Sequence, residues 1–253
     1  MDGQIYQKIA RNTADDCITC PEERHCLWRT DPLSDSAGTE PATGFKHMRF
    51  TPGQAVVMAG YHFPYAATIR AGTASLTRSL SDGRSQIVGV LYPSDIFNSR
   101  PALASKYTIT ATTPLELCCL SEASLQHRLE TEKALSRRLL ERKLHDLQEA
   151  RDWMFVLGRK TALERLASMI YTVAERYSHR RQRSPVGVEL SLPLARHEIA
   201  DYLGLTPETV SRNFARLRAA GILSTNSARL ITIWNMRALM EATGNDEDGG
   251  PIF

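Results

Sequence analysis

Five cysteines stand in a chain of 253 residues, and three of them fall within ten positions as Cys17-x2-Cys20-x5-Cys26. A thiolate is a soft ligand for iron–sulfur clusters and zinc, and a nucleophile in redox chemistry. An odd count argues against a disulfide framework in a reducing compartment, so the cluster of three suggests a metal site. Iron–sulfur clusters take thiolates in sets of four, which leaves one ligand to come from elsewhere. Cys118 and Cys119 lie in LELCCL, read as a strand, where adjacent side chains point to opposite faces. Only one of the two can join the set. On spacing alone, zinc held by Cys17, Cys20 and Cys26 with His25, or a thiol switch, remains open beside a cluster.

The second group with chemical character lies in residues 194–223, LARHEIADYLGLTPETVSRNFARLRAAGIL. Ile199, Ala200 and Leu203 form the apolar stripe of one helix, Gly204 permits a tight turn, and Leu205 is read as a core plug. Thr206 is an N-cap followed by Pro207 at the first helical position. Val210, Phe214 and Leu217 form the stripe of a second helix, closed by Gly221. That leaves Glu208, Ser211, Arg212 and Arg216 outward. Arginine can fork onto guanine O6 and N7, and glutamate can accept from cytosine N4. A helical hairpin with a charged outer face shares part of this pattern, but the caps, spacing and following ILSTNSARLITIW wing together spell a winged helix-turn-helix.

Charge agrees. Residues 159–240 hold 13 Lys and Arg against 6 Asp and Glu, whereas the remainder holds 18 against 22. A basic C-terminal segment beside an acidic remainder points to a polyanion partner for that segment.

The elements that must position these groups follow from texture. Residues 31–44 are a turn-forming linker. Residues 45–121 read as short strands, among them AVVMAG, ATIRAGTASLTRSL and SQIVGVLY, with Asp82-Gly83 as a hairpin turn. These suit a small antiparallel barrel or sandwich. Residues 121–157 contain neither Gly nor Pro, and Leu140, Leu144, Leu147, Arg151 and Met154 recur at coiled-coil spacing, with Arg151 an irregular member. Gly158 is read as the break before a helix over 161–177, striped by Leu163, Leu166, Ile170 and Val173. The start of the chain, MDGQIYQKIARNTADDC, has no apolar core, and no apolar run is long enough to span a bilayer, so a cytoplasmic location without membrane contact is expected. No Walker loop, G-x-S-x-G or HExxH is present, so the chain is not expected to be an enzyme.

GLTPETVSRNFARL resembles the recognition motif of the CRP/FNR family, and the order of parts over about residues 15–240 is similar as well. The resemblance implies an α+β fold with an N-terminal antiparallel β-roll like that of cyclic-nucleotide-binding domains. A long dimerisation helix and a C-terminal winged helix-turn-helix follow it. The implied organisation is a cysteine-rich metal-binding segment at 1–30, a β-roll at 45–121, the dimerisation helix at 122–158, the DNA-binding domain at 159–240 and a disordered tail at 241–253. Glu208, Ser211 and Arg212 match the FNR subgroup, which reads palindromic double-stranded DNA with TTGAT-type half-sites as a homodimer and works with RNA polymerase. Alignment places Cys118 at that subgroup's fourth ligand position. The implied cofactor is then a [4Fe–4S] cluster on Cys17, Cys20, Cys26 and Cys118 that favours the DNA-binding dimer and senses oxygen in an anaerobic activator. Cys119 becomes a packed core thiol. Two departures stand out: His25 replaces a bulky apolar residue before Cys26, and the acidic residue of the family's dimer helix falls near Ala150, flanked by Glu149 and Asp152. The cyclic-nucleotide cassette has no counterpart in YPSDIFNSRPALASKYTITA, so no such ligand is expected and Arg100 reads as a surface residue. A same-fold regulator using thiols or zinc, and a metal-binding adaptor docking acidic proteins, are the alternatives.

Overall fold

The structure, a computed structural model, describes residue 28 and residues 45–98, 103–178 and 187–245. The chain divides into two compact units, residues 1–143 and 144–253. No described helix is long and apolar enough to cross a membrane.

The first unit is built from two four-stranded antiparallel sheets. One contains β1 (Phe45–Phe50), β8 (Leu115–Ser121), β3 (Tyr65–Ala71) and β6 (Ile96–Phe97), in that order. The other contains β2 (Ala55–Val57), β7 (Thr108–Ala111), β4 (Ala74–Ser79) and β5 (Ser85–Leu91). Strand alternation sends Met48, Ala67, Ile69, Leu115, Leu117 and Cys119 into one apolar core together with Val56, Ala74 and Ile109 of the second sheet. The Asp82-Gly83 hairpin joins β4 to β5 as the sequence predicts, with Gly83 at φ +89°. The segment read as ATIRAGTASLTRSL is two strands, because Gly72 turns the chain at φ +83°. A Cβ there would stand 2.0 Å from the Pro114 carbonyl oxygen, so the close approach of backbones requires glycine.

The outer face of the first sheet carries a separate apolar group: Trp28, Ala66, Ile96, Cys118, Leu120, Leu125 and Leu135, with Phe45, Leu129 and Leu139 at its edge. Leu125 and Leu129 come from α1 (Glu122–Thr131); Leu135 and Leu139 come from α2 (Lys133–Arg159). The sequence predicts one helix over 122–158, but the structure has two, broken at Glu132. Glutamate does not itself break helices. The Arg128 guanidinium donates both to the Glu132 carboxylate, at 2.6 and 2.9 Å, and to the Trp28 carbonyl at 2.9 Å. A tertiary contact therefore accompanies a bend that local propensity does not encode.

In the second unit, α3 (Ala162–Ser178) buries Leu166, Ile170 and Val173, with Leu163 half-buried. Gly158 is not the break: it lies within the last turn of α2. The chain restarts at Thr161, whose hydroxyl accepts from Glu164 N–H at 3.4 Å while the Glu164 carboxylate accepts from Thr161 N–H at 2.7 Å, a reciprocal cap. Then come β9 (Val188–Ser191), α4 (Arg196–Leu203), α5 (Pro207–Ala219), β10 (Leu223–Thr225), β11 (Leu230–Ile233) and α6 (Met236–Glu241). The three strands form one sheet in the order β10-β11-β9. The predicted disordered tail begins too early at 241. Thr243 is buried, and Asn245 Oδ1 accepts from the buried Lys160 ammonium at 2.7 Å, so residues 241–245 belong to the folded unit. Residues 246–253 lie outside the described ones.

Candidate functional site

Helix α5 is placed by caps at both ends. Thr206 Oγ1 accepts from Thr209 N–H at 3.3 Å, and Pro207 occupies the first turn. At the other end Gly221 adopts φ +68°, its N–H donates to the Arg218 carbonyl and Ile222 N–H donates to Leu217, a Schellman closure. Between the helices Gly204 is left-handed at φ +62°, and Leu205 N–H reaches back to Ala200. Leu205 is half-buried rather than a full core plug, because its position on the turn leaves one side open.

Val210, Phe214 and Leu217 are buried as predicted, and Asn213 joins them. Glu208, Ser211, Arg212 and Arg216 are exposed. Spacings of three and four place Glu208, Ser211 and Arg212 on one helix face. The Arg212 guanidinium donates to Thr209 Oγ1 at 3.2 Å, and Arg216 donates to Asn213 Oδ1 at 3.5 Å, so both cations are held against their own helix. Glu208 is held below the usual carboxylate range by its own backbone N–H and then by the Thr206 hydroxyl, leaving a charged acceptor at the helix start. The surface thus offers an acceptor beside forked donors.

Sequence reasoning missed Arg196. Its guanidinium lies 3.4 Å from the centroid of the Phe214 ring, joining α4 to α5. Burial, and then the charge of Arg218, lower its pKa to about 10. Glu198 accepts from Ala195 N–H at 2.6 Å and from Arg229 at 3.1 Å, so α4, its cap and the wing share one carboxylate.

On α2, Leu140, Leu144, Leu147 and Met154 are between 46% and 73% exposed, and Phe155 is exposed beside them. Arg151 is exposed too. Glu149 pairs with Arg176, and Asp152 accepts from Gln148 at 2.9 Å. Among the described residues, His145, Asp146 and Glu149 bring ligand atoms within 4.8 Å of one another, but Glu149 is already committed to Arg176.

Cys17, Cys20, His25, Cys26 and Arg100 lie outside the described residues. Cys118 and Cys119 are described and face opposite ways. Cys119 is wholly buried in the inter-sheet core, and that burial pushes its thiol up to about 12. Cys118 belongs to the outer group with Trp28, which is two residues after Cys26 in the chain.

A family model described as a Crp-like helix-turn-helix domain matches residues 164–242, and one described as a cyclic nucleotide-binding domain matches residues 47–132. The transcriptional activator protein FnrL of Cereibacter sphaeroides is 39% identical over 236 residues, which cover 92% of this chain and 94% of that protein. The fumarate and nitrate reduction regulatory protein of Yersinia pestis is 30% identical over 195 residues, 76% of each chain. The solved structure of FixK2 from Bradyrhizobium japonicum superposes with a TM-score of 0.70 at 28% identity, covering 78% of this chain and 96% of that one. With the β-roll, the helices that follow it and the capped helix-turn-helix in place, the chain belongs to the CRP/FNR family and is a DNA-binding transcription regulator, not an enzyme.

Proposed function

We propose that this regulator is an FNR-type, oxygen-responsive activator whose homodimer binds two-fold-symmetric TTGAT-type DNA and works with RNA polymerase. In this reading Cys17, Cys20, Cys26 and Cys118 hold a [4Fe–4S] cluster. The observation that carries it is the placement of Cys118. Alternation on β8 sends this thiol to the face that buries Trp28, the described residue nearest in sequence to Cys26. The Arg128 guanidinium grips the Trp28 carbonyl at 2.9 Å, and Trp28 follows Cys26 by two residues in the chain, which supports the reading. The donor set also fits in kind, since four thiolates match the ligand preference of a cluster.

When bound, the cluster supplies an oxygen-labile centre whose presence favours the dimer. The remaining work falls to the chain. The exposed Leu140, Leu144, Leu147 and Met154 pair with a second copy, so that burial of this stripe drives association. Two copies then present α5 to half-sites about one helical turn apart. Glu208, Ser211 and Arg212 read base edges, with Arg216 at the margin. The name of the Cereibacter relative, which spans nearly its whole length, supports activation. A cytoplasmic location follows from these partners. No cyclic nucleotide enters this reading, although a family model of that description matches the β-roll.

Purification under anaerobic conditions, followed by absorption spectroscopy and assay of iron and acid-labile sulfide, tests the proposal. About four irons and four sulfides per chain are expected. Both should fall on exposure to air, together with specific DNA binding. One zinc per chain with no sulfide, or no metal at all, would replace this reading with the zinc or thiol alternative.

A further inference from the structure

Cys118 has a cross-strand neighbour on each side. It is paired in register with His47 on β1 and with Thr68 on β3, and Thr68 is paired in turn with Ile96 on β6. Residues opposite one another in antiparallel strands share a face, with Cβ atoms about 4.5–5.5 Å apart. The row therefore lies on the outer face, among Phe45, Ala66, Leu120 and Trp28. Met48, Ala67, Ile69 and Cys119, the residues between, fill the inter-sheet core instead.

Three buried polar atoms belong to this patch: His47 Nε2, Thr68 Oγ1 and Trp28 Nε1, and none has a hydrogen-bond partner among the described residues. Thr68 and Trp28 are each only 4% exposed, so solvent does not relieve them. A buried polar group left unsatisfied is costly, and three around one thiol are not a random distribution of cost. The chemistry of the three atoms says what would satisfy them. An indole N–H donates only; a hydroxyl and an imidazole N–H also donate. A cation would gain nothing from the indole N–H, so the patch suits an anionic acceptor. Thiolate and sulfide sulfurs are such acceptors, and hydrogen bonds to them tune both the potential and the retention of a cluster.

We infer that His47, Thr68 and Trp28 are the hydrogen-bond donors to the sulfur of the iron–sulfur centre anchored at Cys118. The inference rests on the cluster reading above. The three are positioning residues: they ligate no iron but stabilise negative charge on the sulfur, which favours the more reduced state and raises the midpoint potential.

The test uses the full-length protein, purified anaerobically, with Thr68→Val, Thr68→Ser, Trp28→Phe and His47→Phe. Thr68→Val keeps the shape of the side chain and removes the donor. Expected are a lower midpoint potential, a shifted iron–cysteine stretch in the resonance Raman spectrum and iron loss to a ferrous chelator accelerated about 10-fold, the scale on which outer-shell partners act. Thr68→Ser, which keeps the hydroxyl, should behave like the unmodified protein. In cluster-free protein Thr68→Val should melt higher, because it deletes a buried hydroxyl that lacks a partner. This opposite sign separates a donor from a packing residue. Loaded variants with unchanged potential, spectrum and chelation would overturn the inference while leaving the cluster in place. Thr68→Val that lowers stability equally with and without the cluster would overturn it too. Unmodified protein that binds no iron or sulfide would overturn the reading beneath it.

Discussion

Cys118 and Cys119 are adjacent on one strand, yet Cys118 lies with Trp28 on the outer face of its sheet while Cys119 is sealed between two sheets. Neighbouring strand residues cannot share a surface, so the two thiols have different chemistry. Cys119 stays protonated at neutral pH, held by burial at about 12. Cys118→Ser should therefore lose cluster iron and anaerobic DNA binding, as Cys20→Ser should. Cys119→Ser should keep both, with a small loss of stability from a hydroxyl in the core. Iron content and a gel-shift assay check this. The reverse pattern would move the ligand to Cys119.

Arg212 stands exposed on the front of α5, beside Glu208 and Ser211. Arg212→Ala should cost about 1–3 kcal/mol on a cognate site and less on random duplex. Binding isotherms on both sequences at one salt concentration measure the difference. Equal loss on both would restrict Arg212 to phosphate contact.

Leu144 is 58% exposed in the single chain, in the middle of the α2 stripe. Leu144→Glu should place a charge against its symmetry mate, and an unpaired buried charge is costly. Sedimentation should find a monomer with the secondary structure of the parent protein. A stable dimer would remove this stripe from the interface.

Gly72 has φ +83° and no room for a Cβ beside the Pro114 carbonyl. Gly72→Ala should destabilise the β-roll by about 1–3 kcal/mol from backbone strain, with the clash adding to it. Urea unfolding gives the value. Gly53, also at positive φ but with open space around its Cβ position, serves as the comparison and should lose less on substitution.

Much of the molecule was legible from local pattern. The caps at Thr206 and Gly221, the buried stripe of Val210, Phe214 and Leu217, and the exposed Glu208, Ser211, Arg212 and Arg216 follow from helical spacing and need no distant partner. The opposite facing of Cys118 and Cys119 follows equally from strand alternation. The break at Glu132 could not be read this way, because it accompanies an Arg128 contact that reaches Trp28 across the chain. Nor could Arg196 be assigned to the Phe214 ring, or His47 and Thr68 to the two sides of Cys118. Periodicity states which face a residue takes. Which strand lies beside it, and in what register, is chosen by the packing of segments far apart in sequence, and only the folded chain decides that.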